Sequence, residues 1–369
     1  MARVRDIVKI MEKHFPLDLA SPWDNCGLML GSPDKEVQKV LLCLDLDAAG
    51  VEEVIAHAPD LVITHHPLFF KEFKKIDYNT PLGRLIRELI THDICVYSAH
   101  TNLDAASRGV NQILAEILEL DDIKPLFPEK SEKLYKLVVF VPYSHVEEVR
   151  RAVNGAGAGY IGNYSDCSFR TPGIGTFKPG EGTNPFIGEK GKVEEVEEYR
   201  LETVVPEVLL SGVIDAMLEA HPYEEVAYDV YLLQNQGQVY CMGRQGYWKE
   251  ETSLMECACH VKEKLGVEKL KIAGPPDKRI RKVAVIGGAG MSLISRLPKD
   301  IDLLITGDVK YHEVKEALNW GLAVIDAGHQ ETEEIVLPWI RDLLTRESQA
   351  SGLDVEYIYM PGKKCFWNI

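Results

Sequence analysis

Short apolar runs that stop abruptly at polar clusters recur along this chain, and they recur in pairs. In the first pair, Leu61–Thr64 (within PDLVITHHPLFF) and residues 94–98 (within ICVYSAHTNLDAA) flank TPLGRLIRELITHD, whose apolar residues repeat at helical spacing. In the second, Leu303–Thr306 opens IDLLITGDVKYHEVKEALNWG, a helical stretch follows, and Ala323–Asp326 leads into DAGHQETE. Asp60-Leu61-Val62-Ile63-Thr64 and Asp302-Leu303-Leu304-Ile305-Thr306 are nearly the same pentapeptide. Runs this short and this apolar suit strands covered on both faces, as in parallel sheets. The pattern therefore predicts a twofold internal repeat of βαβ units. Open α/β sheets place ligands beyond the carboxyl ends of their strands, and all four polar clusters fall there.

The segment between the repeats has another rhythm. Residues 137–141 predict a strand and 144–153 a helix capped by Ser144. Further strands are expected near 166–170, over 199–205 and over 226–233, with a helix over 207–220. This β-α-β-β-α-β order is the ferredoxin-like plan. The run GIGTFKPGEGTNPFIGEKG at 173–191 has so much Gly and Pro that a long exposed loop is expected. The fold class is α/β: two similar α/β/α lobes form one core, with an inserted ferredoxin-like α+β domain. The divisions are 1–128 for the first lobe, 129–238 for the insert and 239–369 for the second lobe.

Composition narrows the function. A formal charge of −16 with a pI near 5.2 argues against a phosphate-backbone surface and so against nucleic acid as a main partner, although a single nucleotide remains admissible. The N-terminal residues 1–15 space Val4, Val8 and Met11 along one helix face, interrupted by charges, unlike a secretory signal. No stretch approaches the roughly 18 apolar residues of a membrane span. Eight cysteines, at 26, 43, 95, 167, 241, 257, 259 and 365, show no framework spacing and suit reduced thiols in a cytoplasmic protein. Cys257-Ala258-Cys259-His260 looks like a metal motif, but on a helix positions i and i+2 face apart, so packing is the better reading.

The chemistry concentrates at the strand ends. His65, His66, His100, Asp104, His329 and Glu333 each sit at or just beyond an apolar run. His65 and His66 can point the same way only if strand alternation breaks after Thr64. His329 and Glu333 are i and i+4 at the start of a helix and share a face. Imidazole and carboxylate without thiolate are ligands for zinc, iron or manganese. Such a ligand count exceeds what one catalytic zinc takes and favours two metals sharing a carboxylate or a water. Around them, Asp308 occupies the repeat position of His66, and Tyr311 and His312 are further candidates for supporting or acid–base roles. The run VAVIGGAG at 283–290 lacks dinucleotide-fingerprint spacing and reads as a tight strand-to-helix turn.

THHPLFF, SAHTNLDAA, TGDVKYHE and DAGHQETE resemble the signature segments of the Nif-three-like family, the GTP cyclohydrolase 1 type 2 homologues. The resemblance covers both lobes, and HPYEE at 221–225 is similar to the PII-like or CutA-like insert of longer bacterial members. It implies that His65, His66, Asp104, His329 and Glu333 are the ligands of two divalent metal ions per subunit, zinc first, with iron or manganese as alternatives. It implies a toroidal homohexamer and a nucleotide substrate, GTP, converted to a dihydropterin triphosphate and formate. His100 and Glu333 are then the candidates for proton transfer. A reading from another class stands beside it: a metal-binding regulatory or scaffold protein that senses a ligand or partner through its insert.

Overall fold

The computed structural model describes every residue except 72, 128, 129 and 364–369, so Cys365 and the expected 128/129 division lie outside the described residues. Leu61–Thr64 and Cys95–Ser98 are strands buried at every position, paired in parallel. Lys39–Cys43 flanks the first of them, also in parallel. The full sheet runs Gly27–Leu30, Cys95–Ser98, Leu61–Thr64, Lys39–Cys43, Glu356–Tyr359. The second sheet repeats the theme, with Leu303–Thr306 lying parallel between Arg279–Val285 and Ala323–Asp326. Its complete order is Lys271–Ala273, Ala323–Asp326, Leu303–Thr306, Arg279–Val285, Arg244–Ser253, Asp121–Pro125.

Two edge strands cross the division drawn from the sequence. Asp121–Pro125 pairs antiparallel with Arg244–Ser253 in the second sheet, and Glu356–Tyr359 pairs parallel with Lys39–Cys43 in the first. Each lobe thus lends the other an edge. The reason is local: both segments are only half covered, and a strand covered on one side carries too little apolar pattern to declare its sheet.

Helices fill the layers as their spacing demands. Val4–His14 buries Val4, Ile7, Ile10 and Met11, while Val8 is only partly covered. Pro81–Thr91 starts on Thr80, whose side chain accepts from the Gly83 amide at 3.1 Å, with Pro81 in the first turn, where its missing N–H costs nothing. Val336–Ala350 packs Val336, Leu337, Ile340, Leu343 and Leu344 into the same cluster as Leu42, Leu61 and Ile63 of the first sheet. One apolar core is therefore built from both halves of the sequence.

Residues 131–239 form a separate compact unit, and residues 1–130 with 240–369 form the other. Within the smaller unit the strands stand in the order Ser168–Phe177, Glu194–Pro206, Lys130–Pro142, Tyr228–Tyr240, with helices Val146–Gly155 and Leu210–Ala220 after the first and third in sequence. That is the ferredoxin-like order. Two local expectations fail. His145, not Ser144, occupies the N-cap, and no side chain caps the helix; the Ser144 hydroxyl is paired instead with His145 Nδ1 at 2.8 Å. The glycine-rich run is also not loop throughout, because 173–177 continues a ten-residue strand paired with 194–203. A Cβ on Gly175 would collide with the Glu198 carboxylate, so this glycine permits a close approach within a sheet.

Among the described residues no helix is long and apolar enough to cross a membrane. The seven described cysteines are free.

Candidate metal centre

Parallel pairing brings the strand ends level. Cys43 lies opposite Thr64, which in turn lies opposite Ser98. Beyond Thr64 the backbone continues the sheet for two residues, His65 N donating to Cys43 O and His66 N to Leu44 O. The Thr64 hydroxyl donates to the His66 carbonyl at 2.7 Å, bending the chain there. Alternation breaks as expected, and the two imidazoles stand 5.1 Å apart between centroids. His100 lies two residues beyond the next strand, at the N-cap of the helix Thr101–Ala105, which carries the buried Asp104. Opposite them, Gly328 takes φ +97 and turns the chain into the short helix His329–Glu333.

All six strand-end residues converge. Three groups have ligand-capable atoms within 4.8 Å of one another: His65, His66 and His100; His66, His329 and Glu333; and His65, Asp104 and Glu333. Glu333 is central. Its Oε2 lies 3.1 Å from His66 Nε2 and 3.0 Å from His329 Nε2, and its Oε1 lies 3.7 Å from His65 Nε2. Asp104 Oδ1 is 3.7 Å from the same His65 nitrogen.

The rings are held from behind. Nδ1 of His66 pairs with Asp45 Oδ1 at 2.7 Å, Nδ1 of His329 with Asp308 Oδ2 at 2.7 Å, and Nδ1 of His100 with Asp24 Oδ1 at 2.9 Å. Nδ1 of the buried His65 donates to the Ala99 carbonyl at 2.9 Å. Each Nδ1 thus carries a proton toward its acceptor, which leaves Nε2 as the nitrogen free to bind, the arrangement typical of metal-ligating histidines.

The donors fit a cation on a second count. His65 Nε2, Asp104 Oδ1 and Glu333 Oε2 are buried and satisfied by no hydrogen bond within the chain, Glu333 Oε2 standing 3.1 and 3.0 Å from the His66 and His329 Nε2 atoms. Leaving one such atom unsatisfied costs about 1–3 kcal/mol, and three in one place call for a common partner. Divalent ions that accept nitrogen and oxygen ligands are that kind of partner.

The charges pull strongly on each other. Burial alone would push His66 down, but the bond to Asp45 and the facing Glu333 outweigh it and raise its pKa to about 10. Glu333, 3.0 Å away, raises His329 to about 9 against the opposing effect of burial. His65 also moves up, because Glu333 and Asp104 overcome its burial. Glu333 goes well below the usual carboxylate range, its own burial being overridden by the imidazoles around it. Asp104 goes the other way, raised by burial to about 6.

Other candidates separate clearly. Asp308 touches the centre through His329. Tyr311 and His312 are exposed, pack edge-on against each other and belong to none of the three groups. Cys257 is buried, Cys259 exposed, and His260 is paired with the Leu118 carbonyl, as packing predicts. The glycine run has a use that its spacing did not disclose. Gly288 has φ +62, and a Cβ there would strike Glu333 Oε1 and approach His329 Nε2 to 3.2 Å. Sequence reasoning missed Asp24 and Asp45. Asp45 lies two residues past Lys39–Cys43, so the strand-end rule would have found it had that strand been read; Asp24 follows no periodic element and gives no such signal.

Comparison with known proteins places nearly the whole chain in one family. The family model described as Duf34/NIF3 (NGG1p interacting factor 3) matches residues 2–365. A GTP cyclohydrolase 1 type 2 homolog of Halalkalibacterium halodurans is 42% identical over 359 residues, 97% of this chain and 96% of that one. Its counterpart in Bacillus subtilis is 44% identical over 326 residues, 88% and 87% of the two chains. The crystal structure of a Bacillus cereus protein related to NIF3 superposes with a TM-score of 0.91 at 40% identity, covering 100% of this chain and 99% of that one.

Proposed function

The chain belongs to the Duf34/NIF3 family, and we propose that it is a two-metal hydrolase of the GTP cyclohydrolase 1 type 2 kind, acting on a nucleotide. The observation that carries this reading is the trio of buried, unbonded atoms His65 Nε2, Asp104 Oδ1 and Glu333 Oε2 among further imidazoles. His65, His66, Asp104, His329 and Glu333 would hold two divalent ions, zinc first and iron or manganese as alternatives. Glu333 is the carboxylate that belongs to two of the three groups, and with two oxygens to offer it is the residue to be shared. Bound ions would supply Lewis acidity and water of lowered pKa near neutral pH.

The remaining work falls to the chain's own groups. Asp45 and Asp308 fix the tautomers of His66 and His329. Asp24, whose side chain is fully buried, fixes His100 from behind and leaves the other ring nitrogen to take or give a proton. Of the two proton-transfer candidates His100 is the better one, because the imidazoles around Glu333 keep its carboxylate ionised. The name of the relatives points to GTP: water adds at C8 of the purine, formate leaves and a dihydropterin triphosphate forms. The assay incubates zinc-, iron- or manganese-loaded full chain with GTP and follows formate release. GTP that stays intact with all three metals removes the cyclohydrolase assignment.

A second reading has one observation in its favour. Residues 131–239 are a compact unit of their own with a ferredoxin-like strand order, which suits a sensor of a ligand or partner in a cytoplasmic regulatory protein. For either reading we place the chain in a homohexamer, which light scattering tests directly.

A further inference from the structure

The imidazoles do not end at the ligand cluster. From His65 and His66, whose centroids lie 5.2 and 5.6 Å from that of His100, the rings continue outward to Trp23 and Phe70. Both meet His100 edge-on, Trp23 at 6.0 Å and 76°, Phe70 at 5.6 Å and 81°. Trp23 is 65% exposed and Phe70 51% exposed. Two large rings turned to solvent beside a buried charge cluster are costly to the isolated chain and mark a binding surface.

The segments that carry these rings are also anchored. Asp24, next to Trp23, accepts hydrogen bonds from the Thr101 amide, the Thr101 hydroxyl and the Cys26 thiol, and is paired with His100 Nδ1. Asn25 donates to the Phe69 carbonyl at 2.9 Å, which ties the Phe70 segment to the Trp23 segment. Phe69 in turn packs edge-on against Phe73. Exposed rings on anchored backbone, each set against the same imidazole, lose less entropy than rings on a free loop when another flat ring lies against them.

We propose that Trp23 and Phe70 form a stacking platform for the planar heteroaromatic ring of the substrate, with His100 standing between that platform and the metal ligands. This rests on the nucleotide reading above and adds the part of the substrate that is recognised and the residues that recognise it. Neither side chain offers a charge, so the platform selects for the flat ring and leaves any phosphates to other groups.

Isothermal titration of zinc-loaded full chain with guanosine, adenosine and inorganic triphosphate tests it. Trp23→Leu and Phe70→Leu are each expected to weaken both nucleosides about tenfold or more, with triphosphate affinity and zinc content unchanged, and Trp23→Phe is expected to restore most of the loss. Nucleosides that bind the leucine variants as tightly as the wild type overturn the platform. So does wild type that holds its zinc and binds no nucleoside. Leucine variants that change molar mass in light scattering while keeping nucleoside affinity also overturn it, since the rings would then be covered by a second copy of the chain. A chain that holds no zinc refutes the metal reading separately, and its nucleoside titration still decides the platform.

Discussion

Glu333→Gln tests the centre most sharply, because it changes one charge and almost no volume. The carboxylate faces three imidazoles, at 3.0 and 3.1 Å from His329 and His66 and 3.7 Å from His65, and it belongs to two of the three ligand groups. Altering a residue that only orients a metal ligand costs about 10–100-fold in affinity. On the two-metal proposal Glu333 is the shared ligand, and removing it should cost at least the upper figure, about 100-fold or roughly 3 kcal/mol, for each ion it touches. Elemental analysis after dialysis against low free zinc should therefore fall from about two ions per chain to less than one. The metal-free protein should suffer too, since three imidazoles lose their common counter-charge. A loss of about 1–3 kcal/mol is expected, seen as a Tm lower by roughly 2–10 °C for a unit of this size. A glutamine variant with two tightly held ions and unchanged Tm would show that Glu333 is neither shared ligand nor counter-charge, and the account of the site would fall with it.

Four further outcomes are expected. Because His66 and His329 titrate at about 10 and 9 in the metal-free centre, their rings carry protons at neutral pH that must leave before Nε2 can ligate; zinc affinity should rise from pH 6 to 8 with protons released, and calorimetry in buffers of differing ionisation enthalpy that finds none would refute this. The same raised values stabilise the metal-free fold fully below the unfolded histidine pKa of about 6.5 and progressively less as pH rises toward 9–10, so its Tm should drop over that window. Gly288→Ala should lose metal as well as about 1–3 kcal/mol of stability, because the new methyl enters the space of Glu333 Oε1 at a positive φ; normal zinc content by elemental analysis would show that the glycine serves only the turn. Deleting 131–239 and joining Lys130 to Tyr240 with a short linker should leave a soluble core that binds metal, since residues 132 and 237 already lie side by side within the insert; a folded deletion that has lost its metal would mean the insert contributes to the site.

What was legible in the sequence follows from where each pattern comes from. Leu61–Thr64, Leu303–Thr306 and Ala323–Asp326 were readable because strands buried on both faces must be apolar throughout, and their ends then pointed to His65, His66, His329 and Glu333. The exchanged edges 121–125 and 356–359 were not readable, since half-covered strands keep polar residues that look like loop. Gly175 and Gly288 misled for a shared reason. Composition marks them as loop or turn residues, whereas their work is to admit the Glu198 and Glu333 carboxylates, contacts made with residues 23 and 45 positions away in the chain. Asp24 illustrates the limit most plainly. Its partner His100 is 76 residues distant, and no periodicity links an aspartate in SPWDNC to that ring.

The supporting carboxylates disclose a rule that the histidines alone do not. In the first lobe Asp45 lies two residues beyond Cys43, and its partner His66 lies two beyond Thr64, the residue paired with Cys43 in the neighbouring parallel strand. In the second lobe Asp308 lies two residues beyond Thr306, and its partner His329 lies three beyond Asp326, which is paired with Thr306 in the same way. Both pairs meet at 2.7 Å. Parallel register is the cause: strands that end level place the first few residues of adjacent loops within one hydrogen bond of each other. A βαβ unit thus needs only an acid after one strand and a histidine after the next to produce an oriented imidazole. The repeat explains why Asp308 stands where His66 stands in the other lobe and yet does a different job, since the oriented histidine has moved one strand along. The first lobe adds a variation at its third strand, where His100 takes its carboxylate from Asp24, outside the repeat. That departure sets His100 apart from the other oriented imidazoles, and it is this ring, on its outer side, that meets Trp23 edge-on at 6.0 Å.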